Sequence, residues 1–205
     1  ADVGRYEALL ASSRWTMLSS YTLMFLLAPL LPEVFQRLGR PVTEATSWAS
    51  SLDMVRVATF ASLMVLHGWR GRKAPLICAA VALPLGFAAV LGGGSLVTVV
   101  LGQVVFGVLA GVTYHAALYY ALVLENAAVD AGGGHERMIG LGLAIGPAIG
   151  LLGDALAGAD NDALGYILIA ALPLVFCTGF AALRSLFRVT AAERVDAGLS
   201  RAARP

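Results

Sequence analysis

Six long apolar blocks separated by short polar connectors constrain this chain more than any other feature. They run Trp15 to Leu38, Thr43 to Trp69, Ala74 to Gly93, Leu96 to Leu124, Met138 to Gly158 and Ala163 to Leu183. Each holds roughly 20 to 29 residues, enough at about 1.5 Å per residue to cross a hydrocarbon layer about 30 Å thick. The connectors are GRPV, RGRK, GGS, the longer ENAAVDAGGGHER, and ADND, and such lengths join antiparallel neighbours. Membrane barrels need alternating segments of about ten residues, whereas these blocks are continuously apolar. The expected fold is therefore all-α: a polytopic membrane protein with a six-transmembrane-helix bundle.

Composition agrees. The chain is 59% hydrophobic and 13% charged, with a mean hydropathy of +0.79. A soluble domain carries roughly 45–50% apolar and about 25% charged residues. The net charge of +1 and the lack of a basic stripe with interleaved aromatics leave no reason to expect a nucleic-acid partner. Cys78 and Cys177 lie inside apolar blocks without metal-ligand spacing, so buried small-residue roles are expected, with no metal and no disulfide.

The first 14 residues, ADVGRYEALLASSR, lack a small-residue cleavage site before a spanning-length block and read as a cytoplasmic lead-in, internal to a longer chain. Residues 15–186 form the expected transmembrane domain and 187–205 a cytoplasmic tail. If the N-terminus is cytoplasmic, all 14 basic residues except Arg37, Arg40 and Arg56 fall on the inner side. The positive-inside rule then puts both termini in the cytoplasm, with the chain in the cytoplasmic (inner) membrane. Pro29, Pro32, Pro84, Pro147 and Pro173 interrupt the blocks as prolines do in membrane helices, where neighbours tolerate the lost donor.

Intramembrane polar residues are the candidate site. Asp53 and Arg56 in the second block are costly there, share a helical face and can pair. Asp53 lies about ten residues into its block, which is about 15 Å and near the midplane. Either they form a structural pair or they line a central site. The fourth block carries Gln103, Gly107, Gly111, His115 and Tyr119 at steps of four, a ridge drifting about 40° per step. Tyr114, His115 and Tyr119 are its polar cluster, read either as helix-to-helix bonding with an aromatic belt or as substrate contact and proton relay. Glu33 and Arg37 have a pairing order of i, i+4 but stand at the outer end of the first block, where solvation is expected. Asp154, near the outer end of the fifth, suits a mouth or interface role.

Two glycine ridges read as packing surfaces, with small residues four apart that let backbones approach closely. They are Gly107 and Gly111 in the fourth block, and Gly142, Gly146, Pro147 and Gly150 in the fifth.

The connector after the second block runs Leu66-His67-Gly68-Trp69-Arg70-Gly71-Arg72-Lys73. It resembles the loop pattern ending in Asp-Arg-x-Gly-Arg-Lys between the second and third helices of each half of major facilitator superfamily transporters. Gly71, Arg72 and Lys73 match its end, while Gly68 stands in place of the Asp and Met64 in place of the leading Gly. The fifth-block run from Gly142 to Gly150 is similar to a Gly-x-x-x-Gly-Pro-x-x-Gly pattern of proton-coupled exporters in that superfamily. The resemblance implies the C-terminal six-helix half of a carrier that moves a small-molecule substrate by alternating access around a midplane site. It also implies a partner N-terminal half in the same parent chain. Proton coupling and transport direction stay open. A non-transporting six-helix scaffold, receptor or assembly factor is the alternative. No enzyme signature appears: Ser95 lies in a loop, the last block has no His, and His67, His115 and His135 are not placed as paired haem ligands. No His-Glu-x-x-His and no phosphate-cradling loop is present, and no cofactor is expected.

Overall fold

A computed structural model describes residues 3–124, 129–158 and 163–202. The chain forms six helices: α1 (Val3–Arg37), α2 (Val42–Val65), α3 (Ala74–Gly92), α4 (Leu96–Leu124), α5 (Val129–Ala157) and α6 (Ala163–Ala202). No strand occurs among the described residues. Five helices are both long and apolar enough to span a membrane: α1, α3, α4, α5 and α6. The exception is α2, which has 24 residues but carries Glu44, Asp53 and Arg56. Its length of about 36 Å suffices, so its polarity is what sets it apart.

The contacts fix how the helices alternate. Near its end α1 packs Phe35 on Trp48, near the start of α2, with ring centroids 6.2 Å apart. Near its own start it packs Tyr6 on Tyr120, near the end of α4, at 5.6 Å. Arg37, the last residue of α1, donates from Nη2 to the Leu91 carbonyl at the end of α3 (2.7 Å). Along α2 and α4, Trp48 meets Gln103, Leu52 meets Gly107 and Thr59 meets Gly111. Thus α1, α3 and α5 run one way and α2, α4 and α6 the other. α2 travels beside α4 through the same slab as its more apolar neighbours.

Helix α1 is the hub and packs against all five others. It is suited to this by small hydroxylated residues rather than by bulk: Ser12, Ser13, Thr16, Ser19, Ser20 and Thr22 are all buried. Small side chains let backbones close up where lipid gives no hydrophobic drive. Two of the hydroxyls donate into their own helix, Ser13 Oγ to the Leu10 carbonyl (2.8 Å) and Thr16 Oγ1 to that of Ser12 (2.9 Å).

Several boundaries differ from the hydropathy reading. Residues 3–14, set aside there as a lead-in, are the first turns of α1 and bring Ala8, Leu9 and Leu10 into the core. α6 continues to Ala202, through most of the expected tail. The GGGHER stretch is helical because α5 already starts at Val129. α2 stops at Val65, short of Trp69. The ADND connector lies outside the described residues. All the named prolines sit within continuous helices. Both cysteines are exposed free thiols, contrary to the buried role expected of them. A thiol is apolar enough to face lipid, so an apolar block does not by itself imply protein burial.

The glycine ridges lie on helix seams. A Cβ on Gly142 would stand 2.7 Å from Tyr21 Cβ, and one on Gly146 would stand 2.7 Å from the Thr22 carbonyl oxygen, so α5 rests directly on the α1 backbone. Gly150 continues this seam toward Leu26. Gly107 and Gly111 do the same for α2, facing the Leu52 carbonyl oxygen at 2.9 Å and Thr59 Cβ at 2.8 Å. A third seam, not anticipated, joins Gly86 of α3 to Gly102 and Phe106 of α4.

Candidate functional site

Helices α2 and α5 both pack on α1 and α4, but among the described residues their backbones do not approach each other. Their facing sides therefore bound a groove floored by α1 and α4, and a set of polar and aromatic residues lies around it. From α2, Arg56 Nη2 pairs with Asp53 Oδ1 at 2.9 Å, with side chains 22% and 65% exposed. Arg56 Nη1 points back to the Met24 sulfur on α1, and its Nε is buried with no hydrogen-bond partner. On the floor, Tyr21 of α1 and Tyr114 of α4 stand 6.2 Å apart, ring to ring. Tyr21 lies within electrostatic reach of Arg56, Tyr114 and Glu136. Phe60 of α2 packs on Tyr114 at 4.9 Å, and His135 of α5 meets it edge-on at 4.5 Å. His135 is 5% exposed, with Nε2 unpartnered.

The six residues singled out from sequence thus separate. Arg56 and Tyr114 share the groove, while Asp53 is joined to it through Arg56 and opens outward beside Met54, Val57 and Ala58. Gln103 is fully buried in the α2/α4 seam, where its Oε1 accepts from Ser51 Oγ (3.0 Å) and its Nε2 donates to the Trp48 carbonyl (3.3 Å). Both ends of the amide are used to hold two helices together. His115 and Tyr119 gather around Trp69, with centroids 5.3 and 5.2 Å away, and Arg70 lies 5.0 Å over the Tyr119 ring. They clamp the α2–α3 connector. The drift of the α4 ridge accounts for the division, since the line that meets α2 at Gln103 has wound away from it by His115.

That connector is tied down at its glycine. Gly71 has φ +68°, a left-handed conformation that costs glycine little. Its N–H donates to the Tyr120 hydroxyl (3.1 Å), and its carbonyl accepts from Arg5 Nη2 (2.6 Å). Arg72 is exposed, and Lys73 occupies the N-cap position of α3, ahead of Pro75, without a side-chain capping bond. The three matched residues therefore make a turn, an exposed cation and a helix start.

Sequence reasoning missed Tyr21, His135 and Glu136. Tyr21 is one aromatic in a long apolar run, and only the neighbouring helices single it out. His135 follows three glycines, the composition of a loop; its helical state depends on packing, with Gly134 set against the Arg14 side chain. No family model, no curated protein and no solved structure matches this chain, so the groove is read on its own chemistry.

Proposed function

We propose that this chain is one half of a secondary carrier in the cytoplasmic membrane, and that the groove between α2 and α5 is its share of a solute site. The observation that carries the reading is the Asp53 carboxylate, 65% exposed on α2 within a bundle of otherwise strongly apolar helices. The nearby hydroxyls do not demand water, because Thr46, Ser47 and Ser50 donate to carbonyls four residues back in their own helix. A carboxylate has no such recourse. It stands 11 residues into a 24-residue helix, about halfway across. Lipid there is too costly a neighbour for it, so water or protein has to cover the face. A second, N-terminal half enclosing an aqueous cavity meets that need, consistent with the loop resemblance to major facilitator transporters. The mixed lining, with a cation, a carboxylate, tyrosine hydroxyls and aromatic rings, suits a small polar solute. The scaffold alternative would cover the same face with another membrane protein.

Thiol accessibility separates them. In a background lacking Cys78 and Cys177, Ser50→Cys in native membranes should react with a membrane-impermeant methanethiosulfonate. Val81→Cys, on an exposed position of α3, should not. A Ser50→Cys that stays unmodified from both sides would remove the aqueous cavity and leave the scaffold reading.

A further inference from the structure

A second cleft lies on a different side of the bundle, where α5 and α6 meet α1. It has a volume of about 410 Å³, within the range of small-molecule sites. Gly150 and Ala163 are among its small lining residues, and the walls are apolar: Phe25, Leu30, Leu151 and Leu164 among them. The charged groups in the lining are two carboxylates, Glu33 and Asp154, with no basic residue to offset them.

Neither carboxylate has an ion-pair partner among the described residues. The cation that the sequence offers Glu33 is Arg37, one turn along α1, but its guanidinium donates to the Leu91 and Gly93 carbonyls instead (2.7 and 3.3 Å). Both acids lie within about one turn of a helix C-terminus, since α1 ends at Arg37 and α5 at Ala157. Helix dipoles there add negative potential to that of the carboxylates. The cleft is thus a greasy slot with a doubly anionic rim.

We infer that this cleft binds an apolar organic cation, its body between α5 and α6 and its charge at Glu33 and Asp154. A hard divalent ion fits less well, because it needs six or more oxygen ligands and the walls are hydrocarbon. Among the described residues, no group of three or more His, Cys, Asp or Glu could hold a metal. A zwitterionic lipid headgroup also fits less well, since it would bring a phosphate to two carboxylates with no basic residue to receive it. Phe25 adds an aromatic face that can attract a cation. The inference does not depend on the carrier reading, because binding needs no transport.

The test uses tetraphenylphosphonium, an apolar monocation without hydrogen-bond donors, measured by equilibrium dialysis on the purified protein in maltoside micelles and in phosphatidylcholine nanodiscs. Saturable binding near one per chain is expected in both. The pair Glu33→Gln and Asp154→Asn should weaken it about tenfold or more, the loss expected for a charged contact. Leu151→Trp fills the slot without touching either acid and should weaken it too. All three positions are exposed, so melting temperatures should match the parent. Triphenylphosphine oxide, of similar shape and no net charge, should not compete. Parent-like binding by the double variant, or equal competition by the neutral oxide, would overturn the inference. Binding in micelles that disappears in phosphatidylcholine would assign the cleft to a lipid headgroup and equally overturn it. Neither outcome bears on the thiol test of the α2 groove.

Discussion

At the residue scale, Asp53 and Arg56 are the decisive pair, and their unequal exposure separates two accounts of them. Asp53 reaches outward, whereas Arg56 is mostly enclosed and also contacts Met24. If Asp53 faces an aqueous site, its pair with Arg56 is worth little to stability, about 1 kcal/mol or less, as for exposed pairs elsewhere. Asp53→Asn should then melt close to the parent and abolish solute movement in proteoliposomes. If the pair is purely structural, Asp53→Asn leaves a cation at membrane depth and should cost about 2.5–3.5 kcal/mol, the insertion cost of such a group. Adding Arg56→Gln should then recover both melting temperature and transport. Recovery of both properties in the double variant removes the pair from the site. The sequence located this pair from the cost of charge in lipid, but not which partner would be exposed. That depends on the rotation of α2, fixed by its contacts with Gly107 and Gly111.

At the level of elements, the α1/α5 seam is set by glycines whose missing side chains define the approach distance. Gly146→Leu drives a branched side chain into the Thr22 carbonyl and the α1 backbone and should destabilise the bundle by about 1–3 kcal/mol or more. Gly140 supplies the control on the same helix, because a Cβ there meets nothing within 4 Å. Gly140→Leu should melt like the parent, and so should Gly140→Ala. Thermal unfolding in detergent reads the difference. Equal melting of the two leucine variants would mean that α5 does not rest on α1 as described. The spacing of four in the sequence identified this ridge, but its partner was not legible. The α3/α4 seam through Gly86 was invisible because an isolated glycine has no repeat to mark it.

At the scale of the whole molecule, strict alternation of the six helices puts the 38–41 and 93–95 connectors at one end and the 66–73 connector at the other. The basic residues Arg5, Arg70, Arg72 and Lys73 cluster at the second end, and under the proposed orientation, which follows the positive-inside rule, that end faces the cytoplasm. In intact cells, on a background without the native cysteines, Gly94→Cys should react with an impermeant maleimide and Arg72→Cys should not. Both positions are exposed, so burial would not mask either result. Labelling at Arg72→Cys with protection at Gly94→Cys would invert the orientation.

The sequence by itself determined the helical class, the number of helices and the approximate position of each, because block length and hydropathy are properties of consecutive residues. It also marked Asp53 and Arg56 as the sharpest charges inside an apolar block, since they are visible without any neighbour. Tertiary structure decided what each polar residue does. Gln103 became a strut, Tyr114 part of a groove, and His115 and Tyr119 a clamp on Trp69, although all four lie on one helix and three share a spacing of four. It also turned the GGGHER stretch into helix and brought His135 against Tyr114. The physical reason is that a membrane helix satisfies its own backbone locally, so its existence is written in its sequence. Its rotation and partners come from packing against surfaces supplied by residues far along the chain.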